Sequence, residues 1–401
     1  MTNSSFDTLN APQRAAATFG AADSNGQWNS DPLLVIAGAG TGKTTTLAHR
    51  VAHLCIHGIS PDRILLLTFT RLAAREMVQR SQQMVAAAMK SDAAQNRASA
   101  PAKIEWVGTF HSVGARLIRL YCETLGLDES FSVLDRSDSA DIMDVERHAL
   151  GFHKSKDRFP QKSTCLDIYS RTVNAQCSLL ATLQGSFPHF KQWHDELKNL
   201  FAAYVERKLK QQTLDYDDLL LYWFYLVEDS RIAQDVSSHF DHILVDEYQD
   251  TNRLQAEIIR RIRPNGAGLT VVGDDAQSIY SFRAADVENI LEFPDQFPRT
   301  KVVKLEQNYR STPHILAAAS GVIAANKGRL GKELWTAEED GEKLRLIGHW
   351  DGEEEARWIG DEVEALQRGT RGLRAFSLDD MAILVRASHQ MRAFEDRFLT
   401  I

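Results

Sequence analysis

Cysteine is scarce and patternless in this chain. Its 401 residues include four, Cys55, Cys122, Cys165 and Cys177, with no CxxC spacing and no zinc-type arrangement. That argues against a disulfide scaffold, a zinc module or a thiolate-held iron–sulfur centre. It leaves buried or incidental thiols of a reducing cytosol. Long hydrophobic runs are lacking too. The longest, Leu219 to Val227, is shorter than the ~20 residues a bilayer helix needs. It follows Asp217-Asp218, which reads as a helix start. Residues 1–10 are polar, without an apolar signal core. The expectation is a cytoplasmic protein with no membrane partner. An excess of positive charge is also missing: 46 Lys and Arg face 54 Asp and Glu, for a formal net charge of −8. Nucleic-acid-binding domains are often basic, so the balance weighs against that partner. A local basic groove can nevertheless coexist with an acidic whole. Internal repeats are absent. What remains is ordinary globular composition, 43% hydrophobic and 25% charged, long enough for roughly two to four domains.

Several short apolar runs have the pattern of fully buried strands in a parallel sheet. They are Leu33–Ile36, Ile64–Leu67, Ile243–Val245, Leu269–Val272 and Val302–Leu305. Each ends near a residue able to do chemistry: Gly38, Thr68, Asp246, Asp274 and Gln307. Ligands of open α/β sheets bind outside the carboxyl ends of the strands, so these ends predict one shared site. Leu47, Val51 and Leu54 fall on one helical face after the first run. Residues 113–211 hold no comparable strand and read as mostly helical, a subdomain inserted into the α/β domain. Its core candidates are Leu117, Leu120, Leu197, Phe201 and Val205, the last three on one helix face. Ala86 to Ala102, rich in Ala and Ser, reads as a flexible surface excursion. A second α/β unit is expected from about Gln307. Ala356, Ile359, Val363 and Leu366 mark an amphipathic helix there, and Met381–Val385 is another candidate buried strand.

Two motifs carry chemistry on their own residues. Ala37-Gly38-Ala39-Gly40-Thr41-Gly42-Lys43-Thr44 is a Walker A loop with Ala in place of the first Gly, set between a strand and a helix as the motif requires. Glycines let backbone N–H groups approach phosphates at a helix N-terminus. Lys43 would pair with the β and γ phosphates and Thr44 would ligate magnesium; Thr45 follows in the same turn. The alternative is a glycine-rich turn with a surface lysine. Asp246-Glu247 closes a buried strand with two adjacent carboxylates. That suits a magnesium ligand, Asp246, beside a residue that orients and deprotonates water, Glu247. The alternative is a solvated acidic turn with Asp250 as a helix cap. Lys43 and Asp246 stand 203 residues apart, which fits an inserted subdomain.

In order, the motifs resemble superfamily 1 DNA helicases of the UvrD/Rep/PcrA type. The matching pieces begin with Leu9-Asn10-x-x-Gln13, the Walker A loop, and Thr68-Phe69-Thr70 followed by Ala73-Ala74-x-Glu76-Met77. They continue through Gly108-Thr109-Phe110-His111-Ser112, Leu214-Asp215-Tyr216-Asp217-Asp218 and Val245 to Asp250. They end with Val272 to Tyr280 and Leu305 to Ser311. The resemblance implies an α/β fold: a P-loop NTPase, RecA-like core with an inserted helical subdomain and the start of a second RecA-like domain. The implied domains are 1A (1–112 plus 212–304), 1B (113–211) and an incomplete 2A (305–401). The implied cofactors are ATP and Mg2+. The implied partners are single-stranded DNA and duplex/single-strand junctions, with translocation from 3′ to 5′ in repair or replication.

The resemblance also implies roles. Gln13 would read the adenine edge and Tyr309 would stack on its ring. Gln277 would sense the γ phosphate and couple it to DNA. Arg283 and Arg310 would bring positive charge to that phosphate, for which a planar guanidinium is suited; surface ion pairing is the alternative. Phe69, Tyr280 and Phe282 match positions that contact bases, and stacking on an aromatic tolerates any sequence. For Phe69 a core position is equally open. Thr70 and His111 would bind backbone phosphate or sugar. Phe282 stands where many relatives have tryptophan, Arg71-Leu72 where many have Asn-Lys, and Ala276 replaces a frequent acidic residue. Further family motifs are expected beyond Ile401, one supplying another arginine. On that expectation the chain is a truncated N-terminal portion, deficient by itself in unwinding. The other readings are the helicase subunit of a recombination helicase–nuclease, or a non-hydrolysing nucleotide- and DNA-binding fragment. A small-molecule kinase leaves residues 280–283 without a purpose.

Overall fold

The computed structural model describes residues 5–22, 24, 28–92, 104–154, 158–339, 341–370 and 374–400. They form two compact units, Met1–Gly341 and Glu342–Ile401.

The first unit is built on six strands: β1 (Leu33–Ala37), β2 (Ile64–Thr68), β3 (Trp106–Thr109), β4 (His242–Val245), β5 (Leu269–Gly273) and β6 (Lys301–Leu305). Their spatial order is β6-β1-β5-β4-β2-β3, and every neighbouring pair is parallel. The helices of this unit begin with α1 (Ala11–Ala17), α2 (Lys43–Ile56), α3 (Arg71–Asp92) and α4 (Phe110–Leu120), followed by the insert's α5 (Arg136–Ala149), α6 (Lys162–Asn174), α7 (Leu179–Ser186) and α8 (His194–Lys210). After them come α9 (Tyr216–Leu226), α10 (Ser230–His239), α11 (Arg253–Ile262) and α12 (Pro313–Ile323).

Helices on both faces explain why β1, β2, β4 and β5 are buried along their whole length. Alternate residues of a strand face opposite sides. Leu34 and Ile36 join Leu65, Ile243 and Val271 beneath α4, α9 and α11. Leu33, Val35 and Ala37 join Ile64, Leu66 and Leu244 beneath α1, α2 and α3, where Leu47, Val51 and Leu54 of α2 meet them. The run at 302–305 departs from its expected full burial. As β6 it lies at the sheet edge, and Val302 is 37% exposed. The other edge strand, β3, was not among the expected runs. Its burial alternates, and a Gly interrupts it.

The helical insert has its own core. Met143, Leu166, Ile168, Leu183, Leu197, Leu200, Phe201 and Tyr204 cluster there, with Val205 packed at the margin. Leu117 is buried, but in the sheet cluster. Leu120 corrects the expectation, since it faces away at the end of α4 and is 60% exposed. The expected excursion at 86–102 begins as helix, because α3 runs to Asp92; the remainder lies outside the described residues.

The joint between insert and sheet is polar. Asp215 caps α9 and forms a reciprocal capping box with Asp218. Lys208 Nζ donates to both carboxylates at 2.6 Å, and all three side chains are nearly sealed from solvent. Tyr204 adds its hydroxyl to Asp215 at 2.7 Å.

In the second unit α13 (Gly352–Arg368) is capped by Asp351 and closes on Gly369 at φ 68°. It is followed by α14 (Met391–Phe398), with Arg397 on Asp361 at 3.1 Å. Ala356 and Phe394 are buried. The strand expected at 381–385 does not form: those residues join no β-ladder among the described residues, and Leu384 is 96% exposed. A strand is stabilised by neighbours across its edges, and no strand is assigned among the described residues of this unit. No helix among the described residues is long and apolar enough to cross a membrane.

Candidate active site

The carboxyl ends of β1, β4 and β5 bring the two chemical motifs together. The chain leaves β1 at Ala37, turns through the glycine loop and enters α2 at Lys43. Gly40 and Gly42 hold φ of 72° and 81°, a left-handed backbone that side chains disfavour. Space forbids a side chain as well. A Cβ on Gly40 would stand 2.6 Å from Arg310 Cβ, and one on Gly42 would stand 2.7 Å from Gln13 Nε2. Thr41 is buried and donates its hydroxyl to the Gly38 carbonyl at 2.9 Å. No side chain caps the N-terminus of α2, so its first amides suit an anion. Thr44 and Thr45 lie half-buried in that first turn.

Lys43 Nζ is 2.8 and 2.6 Å from the two oxygens of Glu247. The pair is not sealed: the side chains are 11% and 32% exposed. Glu247 sits at φ 50°, ψ 49°, a left-handed conformation rare for a non-glycine residue and often associated with function. Asp246 is buried, and its Oδ1 accepts the Glu247 amide at 3.0 Å. Burial and the Glu247 charge push the Asp246 carboxyl up to about 6, against the pull of Lys43. Asp250 rises to about 7 from burial and the same neighbour, and its Oδ1 is buried with no hydrogen-bond partner. This corner is therefore over-supplied with acid. It fits a cation in the manner of magnesium, which takes one or two carboxylates and fills its shell with phosphate oxygens and water. No cluster of three or more His, Cys, Asp or Glu among the described residues forms a protein-only metal cage.

The wall beside the loop combines distant segments. Asn10 and Gln13 form a capping box on α1, and Gln13 Nε2 donates to the Thr41 carbonyl at 2.9 Å. Asn10 Nδ2 donates to the Tyr309 hydroxyl at 2.9 Å. Asn308 donates to the Ala39 carbonyl at 2.6 Å, and the Tyr309 amide donates to Gly40 at 2.9 Å. Tyr309 itself is half exposed. Behind this wall Arg50, fully buried, donates to the carbonyls of Ala16 and Phe19 and to Thr270 and Ser30, tying α1 to α2 and the sheet. Burial alone lowers its pKa to about 10.

A polar chain leads away from Glu247. Gln249 Nε2 donates to Glu247 Oε2 at 2.9 Å, and its Oε1 accepts the Asp274 amide at 2.9 Å. Asp274 Oδ2 in turn accepts from Gln277 Nε2 at 2.5 Å. Beyond Gln277 lie the rings. Phe69 and Tyr280 have centroids 4.7 Å apart, and Tyr280 and Phe282 are 5.8 Å apart. Phe69 is thus half-buried against another ring of the expected strand site, and Phe282 is 70% exposed. Arg283 lies over both Tyr280 and Phe282, at 5.5 and 5.6 Å, so the structure places it with the rings. Thr70 accepts the Ala73 amide and starts α3. His111 meets Tyr216 edge-on; burial, and then Arg71, lowers its pKa to about 4. Arg171 of the insert donates to the Ser281 carbonyl at 2.6 Å.

Gln249, Asn308, Arg50 and Arg171 drew no role from sequence. Asn10 had a legible signal, the Asn-x-x-Gln capping pattern. Gln249 links its neighbour Glu247 to the distant Asp274, and the other three act through partners far along the chain.

The chain matches the family described as UvrD/REP helicase N-terminal domain over residues 22–298 and the UvrD-like helicase C-terminal domain over residues 303–401. A probable DNA helicase II homolog of Rickettsia conorii is 36% identical over 388 residues, covering 92% of this chain and 53% of the relative. The ATP-dependent DNA helicase PcrA of Bacillus subtilis is 34% identical over 370 residues, covering 92% and 47%. The chain spans about half the length of the curated relatives it matches.

Proposed function

The chain belongs to the UvrD/REP helicase family, and we propose that it carries the ATP-hydrolysing, strand-gripping part of an ATP-dependent DNA helicase. One observation carries the reading: Lys43 and Glu247 in contact, with a polar chain from Glu247 through Gln249 and Asp274 to Gln277 and on toward exposed rings. In this reading Lys43 leaves Glu247 for the β and γ phosphates, which frees the carboxylate to orient water and accept its proton. Thr44 and Asp246 would hold magnesium, which when bound would supply positive charge to offset the charge developing on the phosphate. Residues 37–45 cradle the phosphates. Gln13 meets the adenine edge and Tyr309 its face, while Arg310 and Arg283 add positive charge. Phe69, Tyr280 and Phe282 stack on bases, with Thr70 and His111 against the backbone. The 1A, 1B and 2A domain division, 3′-to-5′ movement, preference for duplex/single-strand junctions, a part in repair or replication and a cytoplasmic location belong to the same proposal and rest on the family resemblance.

The test is nucleotide hydrolysis with and without single-stranded DNA. Glu247→Gln should lower turnover by roughly 10²–10⁴ while nucleotide still binds; unchanged turnover removes Glu247 as the base. Phe282→Ala should weaken oligo-dT binding by an amount worth ~1–3 kcal/mol. Wild-type affinity should fall with salt, and a salt-independent affinity would count against the DNA reading.

A further inference from the structure

Lys332 belongs to no motif, yet its side chain is only 3% exposed and ion-paired to Asp274 and Asp275. The segment that carries it forms a strap along the nucleotide wall. Trp335 N–H donates to the Glu306 carbonyl at 3.0 Å, and Asn308 N–H donates to the Trp335 carbonyl at 2.7 Å. Glu333 N–H reaches Glu306 Oε1 at 3.0 Å. Leu334 lies so close to Gly38 that a Cβ there would meet its Cδ2 at 2.6 Å. The Leu330 amide reaches Asp275 Oδ2 at 3.3 Å. One short stretch thus touches the glycine loop, the Asn308 segment and the carboxylates beside Gln277.

Asp274 is fully engaged. Its amide is on Gln249, its Oδ1 takes Lys332 and the Ala276 amide, and its Oδ2 takes Gln277 Nε2. A carboxylate only accepts, so the amino end of the Gln277 amide must face it. Without the ammonium, Asp274 would be a buried anion with no cation. Such a group rotates toward water or takes a proton, and either change alters what Gln277 meets. We propose that Lys332 is a positioning residue: through Asp274 it fixes the Gln277 side chain and so couples the nucleotide cleft to the strand-gripping rings. This rests on the functional reading above.

The test uses the full chain, an oligo-dT strand and a non-hydrolysable ATP analogue with magnesium. The ratio of oligo-dT affinities with and without the analogue measures the coupling, and wild type should give about 5–150-fold. Lys332→Met should bring the ratio close to one, with each ligand's separate affinity within about threefold of wild type. Lys332→Met combined with Asp275→Asn restores the buried net charge of wild type but not the ammonium on Asp274. Its ratio should stay close to one, and it decides the matter if the single variant fails to fold. A wild-type ratio in either folded variant overturns the proposal: in the single variant it would leave Lys332 without a part in the coupling, and in the double it would make charge balance the whole role. If wild type binds neither ligand, the functional reading fails first. If wild type binds both without coupling, that reading stands and Lys332 has nothing to couple.

Discussion

Lys208 and Lys43 both sit against carboxylates, and they are used in opposite ways. Lys208 is closed in by Asp215, Asp218 and the Tyr204 hydroxyl, with both aspartates also tied to each other's backbone amides. Its ammonium also lies 4.4 Å from the Tyr204 ring. Lys43 faces one carboxylate, Glu247, that is a third exposed and set on a left-handed backbone. A sealed cluster cannot change partners without leaving a charge uncompensated in the interior. A half-open pair can, because water and an incoming anion replace what each member gives up. The difference separates a charge that fixes the joint of the insert from one that is exchangeable.

The comparison can be broken at its strongest point first. Lys208→Met strands two buried carboxylates and should lower the unfolding free energy by about 3–5 kcal/mol, read as a fall in the urea midpoint at constant slope. A loss below about 1 kcal/mol, the range of exposed pairs, would erase the distinction. Asp246→Asn should act in the other direction. The folded carboxyl titrates at about 6 against its ordinary 3.8, so between those values the native state holds a proton that the unfolded chain has lost. Stability from this group is greatest below pH 4, declines as pH rises to about 6, and is level above. Removing the charge should therefore stabilise the ligand-free chain by about 1–3 kcal/mol at pH 7.5. The gain should vanish near pH 4; a pH-independent difference between the two melting curves would refute the assignment. The smallest effect is expected at Lys43. Lys43→Met should shift ligand-free stability by less than about 1 kcal/mol while nucleotide binding, followed by a fluorescent analogue, collapses. A large stability loss there would make Lys43 a structural residue like Lys208.

Much of the sheet was legible because four of its strands are buried on both faces and so appear as unbroken apolar runs. Where only one face or edge is covered the signal fails. β6 was expected to be fully buried and only Val303 and Leu305 are, and β3 passed unnoticed. The run at 381–385 shows the converse, an apolar sequence that forms no strand where none is found among the described residues of its unit to pair with it. Of the site, the glycine loop and Asp246-Glu247 were legible because adjacency in sequence encodes their geometry. Phe69, equally open from sequence to a core or a contact position, lies half-buried against Tyr280. Arg283, for which the resemblance implies a phosphate contact, has its guanidinium over two rings, a placement no local pattern announced. Nothing local could have identified Lys332, whose partner Asp274 is 58 positions away, or the bond from Asn10 to Tyr309 across 299.

By itself, then, the sequence determined the doubly covered strands and the order of the motifs, since unbroken apolar runs, glycine turns and helix caps are properties of neighbouring residues. Tertiary structure decided which charges are sealed and which are exchangeable. It alone set Lys208 among two aspartates and a tyrosine, left Glu247 a third exposed, and buried Asp246 enough to raise its pKa. Desolvation depends on everything packed around a group, and that surrounding is assembled from segments that only the fold brings together.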